Sequence, residues 1–418
     1  MNTGQSQPKP AHRPLRIGFI SARPLDDPNH LSGMPHSMAT ALAKLGFEIV
    51  PFITDRPTGP TRVHRKALNR LRTLQKQLCV TPIRKWLDDR APSKTRRRVI
   101  DPVTLRSIRI ECQLAELERL NQLPDAIFGC CISSSLYALE TNLPIIYFSD
   151  ATSYIIRDTY PGLMNRGEAH IQTLHQVEHT SLKRTSSAIF ASPIVRDSAI
   201  KDLGINPEST HVVPMGAHVT PADPTVIEAP TPPPTRDHCD LLIVASDPIR
   251  KRVDLALDAT EILRQRGINA TLHIVGPGTP RSNASTAAKP LGRLQLSDPN
   301  DRQTHQQLLR DCHIQLLPSL GEAFGIAPIE SAHFARPSIV ANAGGLPFVV
   351  LHNKTGLVID RDESPVAWAD AIESLIDNPD HYRDLSRNAL QRARDELNWD
   401  AWGHSVAKII TETIATQR

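Results

Sequence analysis

The 418-residue sequence predicts two doubly wound α/β domains facing a cleft. Three observations point there. Apolar runs of strand length alternate with helical stretches along most of the chain. Those runs are apolar throughout rather than alternating, as strands of a parallel sheet covered on both faces must be. A proline-dense stretch near the middle interrupts the rhythm, which then restarts.

In the first half the strand candidates are LRIGFIS from Leu15, FEIVPFIT from Phe47, DAIFGC from Asp125, PIIYFSD from Pro144 and AIFAS from Ala188. Between the first two lies PHSMATALAKLG, a helix that stops on Gly46 because glycine takes the left-handed turn ending a helix. Residues 220–240, TPADPTVIEAPTPPPTRDHCD, have the proline content of a semi-rigid linker. The second half offers LLIVAS at 241, TLHIVG at 271, HIQLLPS at 313, PSIVAN at 337 and TGLVID at 355. The expected division is therefore 1–219, a linker at 220–240, 241–396, and a terminal helix at 397–418. In that last helix Trp399 and Trp402 share a face, which suits pinning it to a domain surface.

An apolar fraction of 40% and a charged fraction of 22% are those of an ordinary soluble globular protein. No run approaches the ~18 apolar residues of a membrane-spanning helix, and MNTGQSQPKPAHRP lacks the apolar core of a signal peptide. The six cysteines show no paired metal spacing, and Cys130-Cys131 read as reduced core residues, so a cytoplasmic setting is expected, with the inner face of the membrane as a peripheral alternative. Charge is unevenly spread. Residues 60–110 hold fifteen Lys and Arg against three Asp, a net +12, so the remainder carries −8 of the total of +4. Leu68, Leu71, Leu74 and Leu78 recur at helical spacing within that segment. It reads as a solvated helical insertion, an anchor on an anionic membrane surface, or a dock for a phosphorylated acceptor; no nucleic-acid-binding module accompanies the charge.

The stretch PSLGEAFGIAPIESAHFARPSIVANAGGLP, residues 318–347, concentrates the chemistry. A helix is expected to begin near Pro328, since proline lacks the amide hydrogen that would go unpaired there. Glu322 then lies in the preceding loop and Glu330 in the first helical turn. The unpaired amides of such an end suit a phosphate, and Gly325 lets backbone approach a ligand closely. A glutamate at the third helical position is also an ordinary structural cap. The combination of strand, Pro-Ser, Glu, Phe-Gly, Pro and Glu favours a ligand site.

That stretch resembles the Glu-x7-Glu signature of family 4 retaining glycosyltransferases, which have the GT-B fold. LLIVASDPIRKRVDLALDATEIL, LHIVGPG and TGLVID are similar to further elements of that family's donor domain. DPNHLSGMPHSMATALAKLG and PIIYFSDATSYIIRDTYPG are similar to elements of its acceptor domain, so the likeness runs from residue 15 to about 410. The resemblance implies transfer of a sugar from a nucleotide diphosphate sugar to an acceptor hydroxyl, with retention at the anomeric carbon and without a metal or other cofactor. It places Glu330 on the ribose hydroxyls, Glu322 on the donor sugar, and the amides of Phe324, Gly325, Ile326 and Ala327 around the sugar and distal phosphate. Arg250 and Lys251, at a strand's carboxyl end, are the candidates for stabilising the leaving diphosphate.

The sequence departs from the family at three points: Ala245-Ser246-Asp247 replaces Gly-Arg-Leu, Arg252 stands where a glycine is usual, and Phe348 stands where a glutamate often follows Gly-Gly-Leu-Pro. On the facing domain Asp150 and Ser153 would meet the sugar, Asp150 taking the part of the usual histidine or serving as a plain helix cap. Ser32 and Gly33 fit either a close approach to phosphate or an ordinary turn. A nucleotide-sugar epimerase of the same fold and a non-catalytic nucleotide-sugar or membrane-surface binding protein are the rival functions. The nucleotide, sugar and acceptor are not legible.

Overall fold

The computed structural model describes residues 13–27, 30–54, 102–160, 167–217, 219 and 232–417. Most of the basic segment, with its leucine stripe, and most of the expected linker lie outside the described residues.

Two six-stranded sheets form the two lobes. The first contains β1 (Arg16–Ser21), β2 (Glu48–Ile53), β3 (Ala126–Cys130), β4 (Ile145–Ser149), β5 (Ser187–Phe190) and β6 (Thr210–Val212), ordered β2-β1-β3-β4-β5-β6. The second contains β7 (Cys239–Val244), β8 (Ala270–Val275), β9 (Ala288–Gly292), β10 (Ile314–Leu317), β11 (Ser338–Ala341) and β12 (Gly356–Ile359), ordered β12-β11-β10-β7-β8-β9. Every strand pairing is parallel. The fully buried β3, β4, β5, β10 and β11 are the continuous apolar runs of the sequence. The sequence missed β6 and β9, and both are edge strands. β6 has three residues, and β9 exposes most of its length and contains Pro290, which an edge tolerates because one side of the strand needs no ladder donor.

Among the described residues, the helices of the first lobe are α1 (Met34–Lys44), α2 (Pro102–Arg119), α3 (Ser133–Leu136), α4 (Ser153–Thr159), α5 (Glu168–Leu182) and α6 (Pro193–Leu203). In the second lobe they are α7 (Val253–Gln265), α8 (Pro280–Ala284), α9 (Pro299–Asp311), α10 (Ile326–Ala332), α11 (Leu346–Val349), α12 (Pro365–Asp377) and α13 (Pro379–Asp395). The end of the basic segment is not part of an insertion: residues 103–110 lie in α2, which buries Ile110 and Leu114 in the first lobe. Arg106 donates to Ser134 Oγ at 2.9 Å and Arg109 to the Thr54 carbonyl, so two of its cations serve that lobe.

The last helix, α14 (Trp399–Gln417), returns to the first lobe. Trp402 is fully buried, edge-on to Phe128 at 6.0 Å and to Phe148 at 5.8 Å. Gly403 packs on Ala41 of α1, Lys44 pairs with Asp400 at 3.1 Å, and the Ser187 and Thr413 hydroxyls meet at 2.8 Å. Trp402 is therefore a core residue of the first lobe, where the sequence suggested only surface attachment. Among the described residues no helix is long and apolar enough to cross a membrane.

Candidate functional site

In the second sheet the chain leaves β7 toward β8 on one side, while β10 flanks β7 on the other. Loops following two such strands diverge and leave a crevice at their carboxyl ends. Arg250 and Lys251 lie in the loop after β7, and Glu322 in the loop after β10. The predicted charged residues thus meet across the switch in strand order.

Glu322 is 7% exposed, and its Oε1 accepts two hydrogen bonds and pairs with an ammonium group. Arg250 Nη1 is 2.8 Å away, Ser319 Oγ 3.2 Å and Lys251 Nζ 3.4 Å. Arg250 Nη1 also donates to the Gly321 carbonyl at 2.7 Å, and the Leu320 amide donates to the Arg250 carbonyl at 2.9 Å, so the two loops are tied by side chain and backbone. Burial pushes the Glu322 carboxyl up, but the Lys251 and Arg250 charges and the Arg250 hydrogen bond outweigh it and leave it below its usual range. Its other oxygen, Oε2, makes no hydrogen bond among the described residues, leaving an ionised acceptor for a ligand hydroxyl.

Glu330 behaves oppositely. It is 6% exposed, and burial raises its carboxyl to about 7 against the opposing charge of Lys251. Both carboxylates therefore feel the Lys251 charge but are shifted in opposite directions. The helix carrying Glu330 begins two residues earlier than the sequence suggested. Gly325 at φ +103° caps α10, which opens at Ile326, so Pro328 occupies the third position, where an amide hydrogen would still lack a partner. Glu330 is consequently the fifth residue, beyond the first turn, and no side chain caps the helix. The structural-cap reading of Glu330 is excluded. The amides of Phe324, Gly325, Ile326 and Ala327 make no hydrogen bond among the described residues, whereas the Phe324 ring is buried and packs against Phe348 at 6.3 Å.

The double glycine of the motif acquires a reason here. A Cβ on Gly344 would sit 1.8 Å from the Glu322 carbonyl oxygen, so this segment can back the Glu322 loop only as glycine. Gly345 donates its amide to that same oxygen at 3.2 Å. Phe348 is half-buried between Phe324 and the Arg392 guanidinium, so it supports the loop from behind rather than replacing a carboxylate.

Arg252, where the family pattern has glycine, adopts φ 53° and ψ 52°, a left-handed conformation, at the start of α7. Such a backbone costs a side-chain-bearing residue ~1–2 kcal/mol. Arg252→Gly should remove that strain but lose the 2.5 Å bond from Arg252 Nη1 to the Arg361 carbonyl. We expect a net gain of about 0.5–1 kcal/mol in urea unfolding. A loss would show that the side-chain contact outweighs the strain.

From the first lobe, Asp150 stands at the carboxyl end of β4 and accepts from the Cys131 thiol at 3.5 Å. Burial raises the Asp150 carboxyl and the Glu322 charge pushes it the same way, so these two groups sense each other across the lobes. Asp150 is not a helix cap: Thr152 caps α4, accepting from the Ile155 amide at 3.3 Å. Cys131 is not a core residue either. It is half-buried at φ 52° just past β3, while Cys130 alone is buried. Ser153 does not present its hydroxyl to the cleft. It bonds His175 Nδ1 at 2.8 Å while its amide donates to Glu178 at 2.6 Å, because the first turn of α4 packs on α5. Gly33, at φ 77°, caps α1 beyond β1, and Ser32 lies in the single turn His30–Gly33 before it; the Ser32 side chain lies outside the described residues.

Two residues escaped the sequence reading. The Tyr160 ring lies 4.9 Å from the Arg250 guanidinium, crossing from one lobe to the other. The neighbouring Thr159 approaches so closely that a Cβ on Gly321 would stand 2.9 Å from its Cα. His305, on α9, lies 3.7 Å from Glu330 Oε2 through its Nε2. Neither belongs to a spacing pattern, and His305 is one of 17 histidines.

Residues 234–392 match the family of glycosyl transferases group 1. A D-inositol 3-phosphate glycosyltransferase of Corynebacterium glutamicum is 29% identical over 176 residues, 40% of this chain and 42% of that protein. The chain thus spans less than half the length of this relative. Sucrose-phosphate synthase from Thermosynechococcus elongatus has a similar structure, with a TM-score of 0.67, 17% identity, and coverage of 96% of this chain and 100% of that one. The Anabaena protein HepE, in complex with UDP-glucose, gives a TM-score of 0.58 at 16% identity, covering 95% and 100% of the two chains. The chain accordingly has the two-lobed GT-B fold, and most of its second lobe is similar to glycosyl transferases group 1.

Proposed function

We propose that this protein is a retaining glycosyltransferase that takes a sugar from a nucleotide diphosphate sugar and passes it to an acceptor hydroxyl. One observation carries the reading: Arg250 and Lys251, from the loop after β7, converge on the buried Glu322 of the loop after β10, with Glu330 on the helix that follows, beside the switch point of the second sheet. Carboxylates that accept hydrogen bonds from vicinal hydroxyls, next to cations that offset a diphosphate, make a site for a sugar nucleotide. The HepE structure of the same fold holds UDP-glucose, which supports the reading without naming this chain's own donor.

In this mechanism Glu330 receives the ribose hydroxyls and Glu322 Oε2 the donor sugar. Lys251, the more open of the two cations, meets the developing phosphate charge first. Arg250 is engaged by Glu322 and Gly321, so it acts through the loop it organises, and it reaches a phosphate only by exchanging one of those contacts. Asp150 faces the sugar from the other lobe. The leaving phosphate then assists the incoming hydroxyl on the face it departs from, which retains the anomeric configuration.

A thermal-shift panel of UDP, GDP and ADP with their common sugar derivatives tests this. A donor at 100 times its dissociation constant should add ~2.7 kcal/mol of stability. Stabilisation by a nucleotide sugar, followed by release of the free nucleoside diphosphate only when an acceptor is present, is the expected outcome. Binding with no turnover on any acceptor would mark a binding protein, and an altered free sugar would mark an epimerase.

A further inference from the structure

We propose that His305 determines specificity in the nucleotide pocket: its imidazole and the Glu330 carboxylate together hold one ribose hydroxyl of the donor. This rests on the sugar-nucleotide reading of the site.

His305 is 2% exposed and Glu330 6%. Buried polar side chains are almost always hydrogen-bonded. Yet neither side chain makes a hydrogen bond among the described residues, and their approach of 3.7 Å is too long to be one. His305 belongs to α9, which precedes β10, and Glu330 to α10, which follows it, so the two are brought side by side by successive helices. Two adjacent residues, each more than nine-tenths enclosed, whose polar atoms make no hydrogen bond among the described residues and are not sealed from solvent, describe a place where a ligand atom belongs.

The gap fits an oxygen. An atom off the line joining Nε2 and Oε2 can lie about 2.8 Å from both, the ordinary hydrogen-bond length. In its ionised form, which predominates above pH 7, the Glu330 carboxylate only accepts, so the ligand atom donates to it. The neutral imidazole then offers its N–H to the same oxygen. A hydroxyl satisfies both groups at once, whereas a hydrogen in its place leaves both buried and unpaired. Sites of this kind reject analogues lacking the hydroxyl more strongly than apolar pockets reject an extra group. An aliphatic side chain at position 305 would fill the space but lose half of the recognition.

The test is calorimetric binding of whichever of UDP, GDP and ADP the full-length protein takes, alongside its 2′-deoxy and 3′-deoxy forms. The wild type should prefer the ribonucleotide to at least one deoxy form by tenfold or more. In His305→Leu that ratio should fall at least fivefold, while His305→Gln, which keeps an N–H donor, should retain part of it. Thermal unfolding identifies a variant that fails to fold, in which case the glutamine variant carries the comparison. If both ratios survive unchanged in the folded His305 variants while Glu330→Gln still weakens binding, the assignment of His305 fails and the donor reading stands. If the wild type binds no nucleoside diphosphate, both fail together.

Discussion

Glu330→Gln should make the unliganded protein more stable above pH 7, by roughly 2–3 kcal/mol, while weakening donor binding by ten- to a hundredfold. Burial holds the Glu330 carboxyl at about 7, against 4.5 when free, so ionising it in the folded state costs more than in the unfolded chain. The sign follows from the raised value. Below pH 4.5 both states are protonated and the substitution should have little effect. Between 4.5 and 7 the unfolded chain ionises first, and the native protein loses stability that glutamine does not lose. Above pH 7 the difference should level off. Urea denaturation of both proteins at pH 4 and pH 8 measures it. Equal differences at the two pH values would mean that the carboxylate is not held in a desolvated place. Donor affinity should run the other way in the wild type, rising through pH 7 as the acceptor oxygens ionise, and this rise should vanish in the glutamine variant. His305 and Lys251 face the same carboxylate, and burial keeps His305 neutral below its usual range, so Glu330 dominates the titration between them.

Arg250→Ala should cost about 3 kcal/mol, at the low end of what breaking a buried ion pair costs, because Lys251 remains 3.4 Å from Glu322. The loss has three parts. Glu322 loses its 2.8 Å partner, the Gly321 carbonyl loses a donor, and the Tyr160 ring loses the guanidinium that covers it. Removing the carboxylate as well should restore part of the stability, since the larger share of the penalty is a charge left buried rather than a bond lost. The double variant Arg250→Ala with Glu322→Gln is therefore expected to be more stable than the sum of the single losses predicts, by ~1–3 kcal/mol in chemical denaturation. Strict additivity would show that the two side chains act independently.

Much of this site was legible in the sequence because its parts are local. Glu322, Gly325 and Glu330 lie within nine residues of each other, and Arg250-Lys251 directly follow an apolar run, so strand-end placement follows from the position of the strands. Gly344 could be seen but not explained; its role depends on the carbonyl of a residue in another loop. The start of α10 was misplaced because proline suits any position in the first turn, and the left-handed Gly325 decided which one was used. Asp150 and Ser153 looked equivalent beside their strand, yet one senses the Glu322 charge and the other is held by His175 and Glu178 of α5.

The sequence by itself pointed to the two α/β lobes, the position of their buried strands along the chain and the carboxylates and cations at the strand ends of the second lobe, since these follow from apolar runs and from short spacings along the chain. Only the tertiary structure decided in which direction each carboxylate is shifted, that Trp402 completes the core of the first lobe, and that Tyr160 and His305 approach Arg250 and Glu330. Proton affinity depends on how far a group is removed from water and on which charges stand near it. Both quantities are set by residues distant in sequence, and no local pattern encodes them.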